Sequence, residues 1–445
     1  MRAADMEDYF GELASLLDRS LAAGEVYTCG LAAEVSDFVR FNHGKVRQAG
    51  TVAQRYLRLH LIRGRKHAEQ CFTLSGLAAA DRERIAAALA GLRETIVDLP
   101  DDPHLDYSTA LHSSRVVKSD PLPRSEEIME TVLGAAAGLD LVGIYAAGPV
   151  YRGFANSLGQ RNWHEVESFN LQWSLYHHAD KAVKTVYGGF AWSAEEFASK
   201  MQGARERLAL LGNPARSLEP GRYRAYLTPT AMEEITGMLC WGGFSGRALA
   251  TRQSCLFRLQ DGSAALDPSV AIAENTAGGI APAFQDEGFA RPASVPLVAA
   301  GRLVGSLVNP RTAKEFALAT NGANTAEMPE ALDMAAGPLP ADDALAALDT
   351  GLYIGNLWYL NFSDRPACRI TGMTRFASFW VEHGRIVAPV NVMRFDDSVF
   401  RLLGDQLVGL TAERDLIVNS DSYGQRNVNT MRLPGAVVRD MAFTL

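Results

Sequence analysis

Between Leu57 and Leu61 the chain alternates: Leu57, Leu59 and Leu61 fall on one side and Arg58 and His60 on the other, the period of two that marks a half-buried strand. Asn42-His43-Gly44 before this run and Arg63-Gly64-Arg65 after it are suited to tight turns. The stretch Glu25 to Gly76 is therefore predicted to be an antiparallel meander. The spacing then becomes helical, with Ile85, Leu89, Leu92 and Ile96 on one face and Pro100 and Pro103 as the stop. Met6, Phe10, Leu13, Leu16 and Leu17 predict an amphipathic helix at the start of the chain.

From about Arg124 to Gly212 the same vocabulary returns. A helix around Ile128 and Val132 precedes three strand patterns, LVGIYAAGPVYRGFANS, SFNLQWSLYHH and KAVKTVYGGFA. A helix then opens on a capping box, Ser193 with Glu196, presents Phe197, Met201, Ala204, Leu208 and Leu211 on one face, and ends at Gly212-Asn213-Pro214. The fold class is α+β. An N-terminal domain of antiparallel sheet layers with helices is expected over 1–220, built from two similar units, 1–105 and 120–215. An internal duplication would explain that likeness, but the two sequences are too dissimilar to establish one.

Past Gly221 the composition shifts to Gly, Pro and β-formers, which predicts a β-rich domain with few helices over 221–445. One helix stands out, Pro229 to Leu239. Thr320 to Thr350, rich in Ala, Pro, Gly and Asp, reads as an exposed insertion or a loop over a groove. In Gly351 to Phe395 two apolar strand patterns flank a polar segment, Asn361 to Thr374. A tight hairpin at His383-Gly384 sets Glu382 opposite Arg385 as a cross-strand ion pair.

The length of 445 residues exceeds one ordinary core, and 47% apolar with 21% charged residues is normal for a soluble globular protein. A net charge of −8 argues against broad nucleic-acid binding. Arg63, Arg65 and Lys66 form the densest basic patch and read as a solvated hairpin tip. No apolar run near the N-terminus suits a signal peptide or a membrane span. The five cysteines, without a CxxC pair, fit a reduced, cytoplasmic protein.

Standard catalytic signatures are scarce. There is no P-loop, no GxGxxG after a strand and no GxSxG elbow; GGFSG at Gly242 to Gly246 has the wrong spacing. His164-Glu165 begins like a zinc motif but lacks the second histidine, so a surface or turn pair is expected. His177-His178, adjacent on a strand, should face opposite sides, one buried and one wet. Cys368, between Arg365 and Arg369, has neighbours that could lower its pKa, but a small, semi-buried loop residue is the expectation. On local grounds Glu233 and Glu234 read as helix-start acids on a solvated face.

Several separated blocks, in order along nearly the whole chain, resemble the TldD/PmbA (TldE) family: EVSDFVRFNHGKVRQ, FQDEG at Phe284 to Gly288, NPRTAKEFALATNG, and LYIGNLWYLNFSD with ITGMTRF and GRIVAPV. The resemblance implies an N-terminal α+β region and a C-terminal β-rich region. TldD-type members carry zinc on an HExxxH helix and a C-terminal cysteine, and resemble metallopeptidases that cut short or unfolded peptides. TldE-type members lack that site and pair with the TldD type. The helix PTAMEEITGMLC takes the HExxxH position, with Glu233 for the first His, Glu234 for the Glu, Gly237 kept, and Met238 for the second His. The cysteine position falls in Asn419 to Asn429, which contains no cysteine. A carboxylate and a thioether do not replace two imidazoles for zinc.

The implied function is a non-metallated, TldE-like subunit of a complex that proteolyses short or unfolded peptides, with zinc supplied by a TldD-like partner bearing HExxxH. No metal or cofactor is expected in this chain. Thr371, Gly372, Met373, Thr374 and Arg375 are the candidate peptide-binding residues, either as a sheet edge offering backbone groups or as a simple turn between core strands. The alternative is a self-associating, homodimeric peptide-binding protein without protease activity. An unorthodox enzyme using Cys368 or Glu234 is a third reading. Neither nucleic acid nor membrane is an expected partner; the family's association with DNA gyrase does not imply DNA contact in a chain this acidic.

Overall fold

The computed structural model describes residues 3–118, 120, 122–179 and 181–444. Its first half is helix α1 (Ala3–Ser20), strands β1 (Glu25–Asn42), β2 (Lys45–Arg63) and β3 (Lys66–Thr73), and helix α2 (Ala78–Asp98). Strand β4 (Ser114–Lys118) precedes a second run of helix, three strands and helix: α3 (Ser125–Ala135), β5 (Asp140–Asn156), β6 (Arg161–His178), β7 (Lys181–Gly189) and α4 (Ala194–Leu211). The same order of elements thus occurs twice. The two meanders join edge to edge through β1 and β5, giving one seven-stranded sheet in the order β3-β2-β1-β5-β6-β4, with β7 also on β6.

Alternation decides what each face of this sheet meets. Tyr27, Cys29, Leu31 and Ala33 of β1 are buried with Phe10, Leu13, Leu89 and Leu92 of α1 and α2. Gly30 turns the other way, where an added Cβ would lie 3.1 Å from Asp286 of the C-terminal half. At the α4 end, Ser193 caps the helix by accepting from the Glu196 amide at 3.1 Å. Phe197, Met201, Ala204, Leu208 and Leu211 are all buried, as the periodicity predicts.

The second half forms an eleven-stranded sheet. Its strands are β8 (Gly221–Leu227), β9 (Ile272–Glu274), β10 (Val295–Ala299), β11 (Arg302–Leu303), β12 (Ala331–Met334), β13 (Gly351–Asp364), β14 (Arg369–Glu382), β15 (Arg385–Pro389), β16 (Arg394–Ser398), β17 (Leu407–Val418) and β18 (Thr430–Phe443). The helix α5 (Pro229–Cys240) lies in its core, with Met232, Ile235 and Leu239 packed among Ile354, Leu433 and Val438. No helix of the described residues is long and apolar enough to cross a membrane.

Several expectations are corrected. Thr320 to Thr350 is not an insertion: Ala331–Asp333 pairs with β18 and Leu332–Met334 with β9, so the segment completes the sheet. The strand, Ala331–Met334, is only four residues long and sits among Ala-, Pro- and Gly-rich sequence that gives no period to read. Glu382 does not pair with Arg385; it binds the Arg216 guanidinium at 2.8 Å and accepts from Trp380 Nε1 at 2.7 Å. His164 and Glu165 lie in mid-strand and are buried, the imidazole held by the Ile280 carbonyl at 2.8 Å. His177 and His178 are both exposed and meet ring to ring, Nδ1 to Nδ1 at 2.6 Å, because the register shifts at this strand end and breaks the alternation.

Candidate functional site

Helix α5 begins where β8 ends. Thr228 accepts from the Ala231 amide, Pro229 occupies the first turn, and the Thr228 and Thr230 hydroxyls both donate to the Gly355 carbonyl of β13, at 2.7 and 2.8 Å. These bonds fix the helix start against β13 opposite a bulge in β14, where the register between the two strands shifts between Ile354 and Asn356. A second shift falls between Trp358 and Asn361. Phe376 at the first shift and Tyr359 at the second each take φ of 58°. A left-handed backbone in a bulky aromatic residue costs roughly 1–3 kcal/mol and persists where the surrounding structure over-determines it. The bulges turn Trp358, Arg375 and Phe376 to the rim of a cavity of about 550 Å³. The Arg375 guanidinium stacks over Trp358 at 4.5 Å and Phe376 at 5.0 Å.

This cavity lies between the two sheets. Its N-terminal wall is Arg40, Phe41, Arg47, Ile144, Trp173 and Lys184. Lys184 also lines a smaller cavity of about 190 Å³ with Thr228, Pro229, Thr230 and Asn356 at the α5 start. Arg40 and Ile144 are shared with a third cavity of about 410 Å³, reached by Ser422 and Gly424. The three adjoin through these shared residues as one groove, from the start of α5 to the segment that holds Ser422 and Gly424. In the small cavity the Asn356 Oδ1 and Thr185 Oγ1 atoms are buried without a hydrogen-bond partner among the described residues.

Glu233 and Glu234 do not lie on a solvated face. Both are half-buried. Burial pushes the Glu233 carboxyl up to about 7, with nearby Lys184 drawing it back less strongly. Burial also raises Glu234. Met238 is 6% exposed and belongs to the core. The donors at the HExxxH position are thus two carboxylates that favour protonation and a buried thioether, which do not suit zinc. No group of three or more potential metal ligands occurs among the described residues.

The five candidate residues of β14 divide. Thr371, Gly372 and Met373 are paired on both sides, with β13 or its bulge and with Asp396, Phe395 and Arg394 of β16, so they are neither a turn nor an edge. An added Cβ on Gly372 would sit 2.8 Å from Leu360 and 2.9 Å from Phe395. Thr374 is buried and accepts from the Met393 amide at 3.0 Å. Only Arg375 lines the groove. The free edge is elsewhere. Strand β3 pairs with β2 only from Tyr56 to Arg63, so among the described residues Lys45 to Gln54 has β1 as its single partner strand.

Cys368 is fully buried rather than semi-buried, at φ 45°. Contact with the Cys255 thiol, and burial, push its pKa well up. The flanking arginines are engaged elsewhere: Arg365 donates to the Trp241 and Gln253 carbonyls, and Arg369 pairs with Asp396. The cysteine-position segment, Asn419 to Asn429, sends Arg426 into the N-terminal sheet instead of offering a ligand. Arg40 and Trp358 fall in sequence blocks that resemble the family, but nothing local marks them, Lys184 or Arg426 as groove residues. They become a site only because the topology brings distant strands together.

A search of curated proteins finds no match. Solved structures do match in fold. TldE from Thermococcus kodakarensis superposes with a TM-score of 0.78 at 13% identity, covering 98% of this chain and 100% of that one. Two proteins described as candidate modulators of DNA gyrase are similar. That of Thermotoga maritima gives 0.72 at 14% identity, over 99% and 100% of the chains. That of Bacteroides thetaiotaomicron gives 0.73 at 13% identity, over 100% of both. The sequence model of the PmbA/TldA metallopeptidase C-terminal domain matches residues 220–445, which begins at β8 and takes in α5 and the whole second sheet. On that match the chain belongs to the PmbA/TldD family.

Proposed function

We propose that this chain is a TldE-like, non-metallated subunit that holds peptide for a zinc-bearing partner of the TldD type. The observation that carries this reading is the α5 position: it opens on the groove through Thr228 and Thr230 but offers Glu233, Glu234 and Met238 where zinc would need imidazoles. Without metal-bound water, Glu234 has nothing to activate as a general base. An extended peptide, or a strand of the partner, would add to the free edge of Lys45 to Gln54, where main-chain groups provide affinity without strict sequence preference. Val46 and Val52 stand exposed on that stretch, at 40% and 38%.

The test is to co-express the chain with its nearest HExxxH relative and measure assembly, zinc content and cleavage of an unfolded peptide. A stable complex with zinc in the relative, and cleavage lost when its HExxxH glutamate is changed, is the expected result. Stoichiometric zinc and robust peptidase activity in this chain alone would refute the reading. A stable homodimer that ignores the relative would favour a self-associating peptide-binding protein.

A further inference from the structure

The groove has a chemical preference that membership of a peptidase family does not specify. Arg40, Arg47, Lys184 and Arg375 line the cavity of about 550 Å³, and no carboxylate does. Neighbouring arginines such as Arg58, Arg63 and Arg369 are engaged with acids. Among the described residues these four have no ion-pair partner. Glu233 and Glu234 feel the charge of Lys184 but do not line the cavity. Four cations without an ion-pair partner on one concave surface are unusual in a chain of net charge −8.

We propose that this cavity binds the carboxylate groups of a peptide, a preference for acidic or free C-terminal segments that rests on the peptide-handling reading above. Arg375 is the centre of the site. Its guanidinium sits over the Trp358 and Phe376 rings at 4.5 and 5.0 Å and makes no hydrogen bond among the described residues, so its N–H groups are free for a two-point contact with a carboxylate. Trp358, 44% exposed, supplies an apolar surface for the adjoining peptide side chain. A nucleic acid would bring phosphates, but a long polyanion also meets the negative charge of the rest of the molecule, whereas a short peptide samples only the local positive field.

The test uses the isolated full-length chain and three dye-labelled ten-residue peptides, read by fluorescence anisotropy at two salt concentrations. One is neutral with a free C-terminal carboxylate, one is the same sequence amidated, and one is amidated with two internal glutamates. At least one carboxylate-bearing peptide should bind about tenfold or more tightly than the neutral amide, as expected for one charge-assisted Arg–carboxylate contact. Which of the two binds better separates terminal from side-chain recognition. Arg375→Gln should erase the difference, and Arg375→Lys should restore part of it. Arg302→Gln, a remote surface change, should do nothing. Equal binding of all three peptides, or an Arg375→Gln chain that still discriminates, overturns the proposal, as does a single-stranded oligonucleotide binding more tightly than every peptide. Carboxylate preference without pairing to an HExxxH relative would refute the partner reading alone. Pairing and cleavage that ignore peptide charge would refute only this one.

Discussion

Replacing Glu233 with Gln gives the sharpest test of how the start of α5 is buried. In the folded chain burial holds this carboxyl at about 7, against 4.5 for an ordinary glutamate. Below pH 4.5 the group is protonated in both folded and unfolded states and costs nothing. Between 4.5 and 7 the folded state binds more protons, so this contribution to stability is lost as pH rises, and above 7 the loss is complete. At about 1.4 kcal/mol per pKa unit the full shift corresponds to roughly 3 kcal/mol, and partial solvent contact reduces it to about 2 kcal/mol. The Glu233 side chain makes no hydrogen bond among the described residues, so Gln removes the charge with little else. Urea unfolding of parent and variant at pH 4.5, 6 and 8, followed by circular dichroism, should show equal stability at the lowest pH. Glu233→Gln should then be the more stable by about 2 kcal/mol at pH 8. Asp286 and Glu287 also have raised pKa values, but their contribution cancels in the difference between the two chains. A gap that does not change with pH, or a variant that weakens as pH rises, would show that Glu233 is a solvated acid after all.

Gly372→Ala should destabilise by about 1–3 kcal/mol in the same unfolding assay, because its methyl would overlap Leu360 and Phe395; a neutral effect would mean that β14 is looser than its pairing implies. Native labelling with iodoacetamide should modify Cys71 alone, since Cys29, Cys240, Cys255 and Cys368 are buried. Mass spectrometry finding Cys368 alkylated in the folded chain would reopen a reactive role for it. Arg426→Ala should cost about 3–5 kcal/mol by leaving buried acceptors unpaired, and an unfolding midpoint unchanged from the parent would show that water replaces the guanidinium.

Elements with a strong period were legible in the sequence; those defined by pairing were not. The α4 helix could be read residue by residue because Ser193 and five apolar positions each serve the same helix. Residues 331–334 could not, since their strand identity comes from β9 and β18, neither of which is adjacent in sequence. The Gly351 to Phe395 stretch was correctly recognised as sheet, but the polar residues Thr371 to Met373 read as a turn or edge when they are a central strand. Thr371 explains why: its hydroxyl donates to the Phe395 carbonyl at 2.9 Å, so its polarity is spent within the sheet. Arg375 alone of that group reaches the groove, and only because the bulge at Phe376 re-aims the strand.

The segment Asn419 to Asn429 is anchored by one arginine. Arg426 is 3% exposed. Its guanidinium donates to the Gly148 carbonyl at 2.8 Å, the Ser168 carbonyl at 2.9 Å and the Ser168 hydroxyl at 2.8 Å, while its backbone amide donates to Glu34. Burial lowers its pKa to about 10, a measure of how far it has been drawn from water. A buried arginine is weak evidence for net stability, since its desolvation offsets most of what the bonds contribute. Its value here is positional. The bonds tie a C-terminal segment to β1, β5 and β6 at once, and that segment carries Ser422 and Gly424 to the groove wall. Tyr56 adds a contact to the Gly424 carbonyl at 3.4 Å. The arginine holds the segment against the N-terminal sheet and so fixes this wall of the groove.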